Sequence, residues 1–245
     1  MRSFKIGIAG KIVEINAVFS RLYNICRNYI AEGDPIISLG CTMSDFDRAA
    51  ILYEKTNKLP APCDVYLEEY AMLDKLSNAL IDYNILLIHG AAVCYNNAAY
   101  LFTGRSGIGK TTHALKWIEN KPEAFIINGD KSFIRVFENG QQPLICGSPW
   151  NGKENLGTNV MVPLKAIVIL SRADNNCITP ISYRDAFTSI YSQIYRPVET
   201  NKMRKTLTML KSLEESIQFF DFEINNFEED CFPIAFNALA DIKES

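Results

Sequence analysis

A chain of 245 residues with 48% hydrophobic content can bury one sizeable core, or a main domain and a small appendage. Its formal net charge of −3, with 22% charged residues and no dense lysine/arginine block, argues against a nucleic-acid partner. No apolar run approaches the roughly 20 residues a membrane-spanning helix needs, and Met1–Phe4 does not open a secretory leader. The seven cysteines (Cys26, Cys41, Cys63, Cys94, Cys146, Cys177 and Cys231) form no C-x-x-C pair. They read as buried or part-buried reduced thiols of a cytoplasmic protein, and with two histidines they leave little for a zinc site.

In chain order, Lys5–Ile8 and Lys11–Ile15 flank Gly10 as the arms of a hairpin. Phe19, Leu22, Tyr23, Cys26, Tyr29 and Ile30 follow helical spacing. Ser44 with Asp47 resembles a capping box opening a second helix. Leu59-Pro60-Ala61-Pro62 breaks structure, and a helix is expected over about Val65–Asp82. These elements make a small N-terminal α/β unit, residues 1–80, ahead of a second domain over 81–245.

The second domain opens with Asn84–Gly90, a short apolar strand ending in His89-Gly90. Ala91–Tyr95 and Ala98–Thr103 are two further β-like runs around an Asn96-Asn97 turn. A helix carrying His113, Leu115, Trp117 and Ile118 follows, then an apolar strand, Ala124–Asp130, ending in Asp. Ser132–Glu138 and Leu144–Cys146 flank Asn139-Gly140, a hairpin signal. Pro163–Leu170 reads as a buried strand, and Ser182 with Asp185 caps a helix bearing Phe187, Ile190, Tyr191 and Ile194. Met203, Leu207, Leu210 and Leu213 mark another helix, on which Lys202, Arg204, Lys205 and Lys211 read as a solvated face. Ile217–Phe222 and the stretch after Glu228 give a last strand and a last helix.

Between the second β-like run and the helix lies Gly104-Arg105-Ser106-Gly107-Ile108-Gly109-Lys110-Thr111, a complete G-x-x-x-x-G-K-[ST] phosphate loop. Its glycines let backbone N–H groups face phosphate oxygens, and the following helix aims its positive N-terminus at the same anion. Lys110 supplies a charge to the β- and γ-phosphates, the Thr111 hydroxyl can reach Mg²⁺, and Thr112 extends the nucleotide-binding run. Asp130 has two readings: an Mg²⁺ or nucleophile-positioning carboxylate, or a turn former after Asn128-Gly129. His89 is a catalytic candidate or a satisfied core histidine, and His113 reads as structural. Gly147–Gly157 is a surface loop or an active-site loop, with Lys153 and Glu154 set among glycines.

His89-Gly90 before a hairpin, the phosphate loop, and a strand running into Asp130 together resemble the catalytic domain of HPr kinase/phosphorylase, which shares a P-loop type with phosphoenolpyruvate carboxykinase. The resemblance covers roughly residues 80–200. It is greatest to short bacterial proteins of this kind, some of which modify lasso peptides, through Gly147–Glu154 and Pro163–Ile167. It implies an α/β fold with a mixed-sheet P-loop domain, and use of ATP and Mg²⁺. It implies that Asp130 takes the proton of an acceptor serine, that His89 lies near the phosphates, and that Thr111, Asp130 and Glu154 face the metal. Lys153 or an arginine would steady the transferring group, with Arg196 and Arg172 both open as that arginine. The pattern departs from the family at Gly129, where the family has a first aspartate. It departs again at Gly152–Gly157, which only approximates Glu-x-Arg-Gly-Leu-Gly, and in the shorter N-terminal unit. These departures argue against HPr itself as substrate and against the reverse reaction. The expected activity is a kinase acting on a peptide, a small protein or a small-molecule hydroxyl, with self-association left open. The rivals are a non-catalytic ATP-binding module and a carboxykinase-like enzyme.

Overall fold

The computed structural model describes residues 2–138, 140–225, 229–240 and 242. The chain divides into two compact units, Met1–Tyr83 and Asn84–Ser245.

In the first unit, β1 (Arg2–Ile8) and β2 (Lys11–Ala17) form an antiparallel hairpin whose turn residues, Ala9 and Gly10, both have positive φ. That geometry matches the twist of the strands it joins. α1 (Ser20–Cys26) is shorter than its apolar spacing suggested. The chain tightens into a 3₁₀ turn at Arg27–Tyr29, and Ile30 leaves the helix to bridge Ile6. β3 (Ile37–Gly40) runs parallel to β2. The second capping box lies two residues earlier than Ser44 and Asp47. The Asp45 carboxylate accepts from the Thr42 backbone N–H at 2.8 Å, so α2 (Met43–Asn57) starts at Met43. α2 ends at Lys58, in the left-handed region, ahead of the two prolines, and α3 (Asp64–Leu80) follows. Ile6, Val13, Ile15, Leu22, Met72 and Leu76 are fully buried. The buried Glu68 carboxylate accepts from the Val18 and Phe19 backbone N–H groups, which ties α3 to the start of α1.

The second unit is a mixed sheet. Its strands are β4 (Ile85–Tyr95), β5 (Ala98–Thr103), β6 (Phe125–Asn128), β7 (Lys131–Arg135), β8 (Leu144–Cys146), β9 (Met161–Arg172), β10 (Cys177–Ile181) and β11 (Gln218–Ile224). The order is β10-β11-β9-β5-β4-β7-β8, with β6 on β4; β9 is parallel to both β5 and β11. Because β8 also pairs with the start of β9, the path β9-β5-β4-β7-β8 returns on itself. His89-Gly90 does not end a strand. β4 is continuous, pairing through Ile85–His89 with β7 and through Gly90–Tyr95 with β5. Gly90 serves close approach there, since a Cβ at that position would stand 2.8 Å from the Phe102 carbonyl oxygen.

The remaining helices are α4 (Lys110–Asn120), α5 (Tyr183–Gln193), α6 (Thr200–Ser212) and α7 (Phe232–Ala240). Ser182 caps α5 by accepting from the Asp185 backbone N–H. The buried face of α6 is Thr206, Met209 and Leu210, continued by Leu213, so Leu207 faces outward. Of its four basic residues Arg204 and Lys211 are exposed, whereas Lys202 and Lys205 are part-buried. β7 and β8 are joined by an eight-residue connection rather than a two-residue turn; Asn139 and Glu228 lie outside the described residues. Trp117 is the hub of the core, with Tyr100 stacked on it at 5.2 Å and Phe232 edge-on at 5.5 Å. Cys26, Cys94, Cys146 and Cys231 are buried and Cys41 part-buried, but Cys63 and Cys177 are exposed. Among the described residues no helix is long and apolar enough to cross a membrane.

Candidate functional site

β5 delivers the chain into the phosphate loop, and α4 leaves it with Lys110 as its first residue. Gly104 has φ +143°, and a Cβ there would meet the Leu170 carbonyl oxygen at 2.8 Å. Only glycine lets the loop start this close to β9. Ile108 is buried in the core and anchors the loop, while Arg105, Ser106 and Gly107 are exposed. Lys110 is 7% exposed, and its Nζ donates to the carbonyls of Gly104 and Arg105 at 3.1 and 3.2 Å. Burial lowers its pKa; the Asp130 carboxylate offsets part of this, and the Lys131 ammonium adds to it. Thr112 is exposed, and the Thr111 hydroxyl lies 3.4 Å from the Gly129 carbonyl oxygen. The front of α4 therefore abuts the turn between β6 and β7.

That turn holds Asp130, one residue past Asn128–Gly129 and outside either strand. The turn-forming residue and the candidate carboxylate are thus the same residue. The Asn128 side-chain oxygen accepts from the backbone N–H groups of Asp130 and Lys131, at 2.8 and 2.7 Å, and its amide donates to the Ser148 carbonyl at 3.0 Å. The Gly90 backbone N–H donates to the Asp130 carbonyl at 2.8 Å. His89 Nε2 stands 3.0 Å from Asp130 Oδ1, and His89 Nδ1 lies 3.1 Å from Gln193 Oε1. Lys131 Nζ approaches the same Asp130 Oδ1 at 3.4 Å. Burial raises the Asp130 pKa, but the hydrogen bond from His89 and the charge of Lys131 outweigh it. The carboxyl therefore sits below its ordinary range and is ionised at neutral pH.

The loop Gly147–Gly157 folds onto this turn. The Lys131 N–H reaches the Trp150 carbonyl, and the Gly129 N–H donates to the Leu156 carbonyl at 2.9 Å. Gly152 lies against Asp130: a Cβ there would be 3.2 Å from the Asp130 Cβ and 3.5 Å from Glu154 Oε2. Gly129 is crowded as well, its would-be Cβ standing 3.0 Å from the Asn151 carbonyl oxygen.

The structure thus gathers the phosphate loop, Thr111, His89 and Asp130. Lys153 and Glu154 are exposed on the covering loop, with Glu154 beside Gly152. Asp130 is contacted by His89 at 3.0 Å and by Lys131 at 3.4 Å. Arg196 is exposed with its guanidinium over the Tyr191 ring, and Arg172 ends β9, exposed at the sheet end where the loop begins. Among the described residues no three or more His, Cys, Asp or Glu side chains group to hold a metal. Thr111 and Asp130 offer hard oxygens, a fitting set for Mg²⁺, which takes one or two protein oxygens and the rest from phosphates and water. Lys131, Asn128 and Gln193 are site residues that the sequence reading passed over. Asn128 alone carried a signal, as the first residue of an Asn-Gly-Asp turn.

His113 is wholly buried, accepts from the Trp117 indole at 3.3 Å and is structural.

No family model matches this chain, and no curated protein matches it. Among solved structures it is similar to the Hpr(Ser) kinase/phosphatase from Coxiella burnetii, with a TM-score of 0.35 and 10% identity, covering 63% of this chain and 87% of that one. A likeness at that level carries no functional argument.

Proposed function

We propose that this chain is an ATP- and Mg²⁺-dependent kinase that transfers the γ-phosphoryl group to a hydroxyl, in the first instance a serine of a peptide or small protein. The observation that carries this reading is the placement of an ionised carboxylate, Asp130, beside the front of the phosphate loop and α4, held there by His89 and Lys131. A phosphate loop alone binds; a carboxylate at its mouth can also receive a proton.

The loop amides and the N-terminus of α4 would bind and orient the phosphates, with Lys110 as their charge partner. Thr111 and Asp130 would hold Mg²⁺, which when bound neutralises charge on the β- and γ-oxygens. His89 and Lys131 both contact Oδ1 of Asp130, which leaves Oδ2 for Mg²⁺ and the acceptor hydroxyl. As the acceptor oxygen bonds to phosphorus and the β,γ-bridging bond breaks to leave ADP, the hydroxyl proton passes to Asp130. The loop Gly147–Gly157, with Glu154 and Lys153 exposed, lies beside Asp130. A small-molecule hydroxyl fits the same chemistry. Seven free cysteines suit a reducing, ATP-supplied compartment, and we place the protein in the cytoplasm.

One observation favours a second reading, a non-catalytic ATP-binding module. Gly129 is packed against the Asn151 carbonyl, so the turn offers a metal one carboxylate and not two. Transfer separates the readings. Pure protein is incubated with Mg²⁺, γ-labelled ATP and a serine-peptide library, with a parallel set of small hydroxyl compounds, and products are read by mass spectrometry. Labelled product is expected, and Asp130→Asn should lower the rate by about 10²–10⁴; Mg·ATP binding should weaken with it, and raised Mg²⁺ should restore the binding in part and not the rate. Tight ATP binding with no transfer to either set selects the module.

A further inference from the structure

His89 and Lys131 are direct partners in the antiparallel β4–β7 ladder, so their side chains stand on the same face of the sheet. Both reach Oδ1 of Asp130, the imidazole at 3.0 Å and the ammonium at 3.4 Å. One carboxylate thus meets a hydrogen-bonding imidazole and a full positive charge, and the Lys110 ammonium at the phosphate loop feels the charges of both Asp130 and Lys131. Two lysines thus stand near Asp130 at the front of a phosphate loop, with the exposed Glu154 carboxylate beside Gly152. Neutralising Asp130 does not require both.

Lys131 is also held in place. Its N–H is shared between Asn128 Oδ1 at 2.7 Å and the Trp150 carbonyl at 3.1 Å, and its carbonyl accepts from the Ser148 hydroxyl at 2.5 Å. It is the first residue of β7, so its ammonium is presented from a fixed strand and not from a loose tip. An ammonium has three donors; the Asp130 contact uses one, and about a quarter of the side chain is open to solvent.

We propose that Lys131 is a further catalytic residue, a second phosphate-directed cation whose ammonium contacts the γ-phosphoryl group while Lys110 serves the loop side. The proposal rests on the kinase reading for its substrate, but it makes a separate claim, namely that the chain distinguishes ATP from ADP through Lys131. Contact with the γ-group strengthens binding of ATP alone. A purely structural ion pair with Asp130 would affect both nucleotides equally.

The test is calorimetric titration of ADP and of a non-hydrolysable ATP analogue, each with Mg²⁺, into the wild-type chain, Lys131→Met and Lys131→Arg. For Lys131→Met the ADP Kd should stay within about twofold of wild type while the analogue binds at least about tenfold more weakly, the scale of a lost hydrogen bond to a charged group. Lys131→Arg, which keeps the charge, should recover most of that loss. Lys131→Gln, which keeps a donor and much of the length, replaces Lys131→Met should the latter fail to fold. Equal weakening of both nucleotides, or no weakening of the analogue, overturns the proposal. A wild-type chain that prefers the analogue through Lys131 yet transfers nothing to any hydroxyl defeats the kinase reading and leaves the contact of Lys131 with the γ-phosphoryl group standing. A chain that binds neither nucleotide defeats both.

Discussion

His113 sits in the first turn of α4 with no exposed surface, edge-on to the rings of Phe102 and Phe222 at 4.5 and 5.2 Å. Its Nε2 accepts from the Trp117 indole, which requires the neutral ring, and Nδ1 lies 3.6 Å from the Cys231 sulfur. Burial pushes its pKa from 6.5 down to about 3, and the Asp230 charge offsets only part of that. Below pH 6.5 the unfolded chain therefore takes up a proton that the folded chain refuses. This contribution to stability is complete above pH 6.5 and is lost as pH falls toward 3. Between about pH 7 and about pH 5 the loss is about 2 kcal/mol. Urea unfolding followed by tryptophan fluorescence should show it. His113→Phe should be less stable at neutral pH by about 1–3 kcal/mol, because the Trp117 N–H loses its acceptor, yet its stability should vary less over that window. A wild-type curve as flat as the variant's would contradict the buried neutral imidazole. His89, the other histidine, differs in every respect that matters. It is a quarter exposed and paired with a carboxylate. From the sequence His113 reads as structural and His89 is open between a catalytic and a core role; the contact of His89 with Asp130 and its place opposite Lys131 in the β4–β7 ladder are what no local pattern reveals.

Among the elements, the turn Asn128–Lys131 and its covering loop Gly147–Gly157 behave as one piece, joined by the Asn128–Ser148, Gly129–Leu156 and Lys131–Trp150 hydrogen bonds. Gly129 is required by that packing and not by its own backbone angle. Placing a second carboxylate with Gly129→Asp would set a Cβ 3.0 Å from the Asn151 carbonyl and 3.4 Å from the Leu156 carbonyl, with like partial charges facing the new group. The loop should be displaced, at a cost of about 1–3 kcal/mol, with weaker transfer rather than stronger. Thermal unfolding and transfer assays check this; unchanged stability with tighter Mg²⁺ binding would show that the loop yields freely. Local chemistry made several elements legible in the sequence: the Gly10 hairpin, the Asn96-Asn97 turn, the Ser182 cap and the strand–loop–helix around Lys110. The misreadings are also informative. β4 reads as two strands because Gly90 looks like punctuation, whereas it is a close-approach site. β10 was missed because its residues are mostly exposed and Pro180 argues against a strand; it is an edge strand, where proline is tolerated. The face of α6 departs from its apolar spacing because Thr206 is buried in place of Leu207.

Across the unit Asn84–Ser245, the site and the core share residues. Ile108 from the phosphate loop, Ala114 and Trp117 from α4, Ala91 and Val93 from β4, Val168 and Leu170 from β9, and Phe232 and Leu239 from α7 lie in one buried cluster. The closing pair β8–β9 was not foreseeable, since it joins strands by register and not by any motif, but it makes β4, β5, β7 and β9 a continuous frame beneath the loop. Loop, turn and sheet are therefore held by the same packing, and nucleotide binding should be felt as stability of the unit as a whole. A ligand that binds only the folded state stabilises it by RT ln(1 + [L]/Kd), about 2.7 kcal/mol at 100 times Kd. For a unit of this size each kcal/mol moves the midpoint by about 2–4 °C, so saturating Mg·ATP should raise Tm by roughly 5–10 °C. Lys110→Ala should abolish most of that rise. In the proposed kinase its ammonium would be the buried charge partner of the phosphates, and in their absence it donates to the Gly104 and Arg105 carbonyls, so the unliganded Tm should change little. Scanning calorimetry of both proteins with and without Mg·ATP reads the two effects separately. A wild-type Tm that ignores millimolar Mg·ATP removes the nucleotide from this loop, and equal shifts in the two proteins place the nucleotide elsewhere on the chain. A shift present in wild type and absent in Lys110→Ala ties the binding energy to the front of α4, where Asp130 and Lys131 can act on the same phosphates.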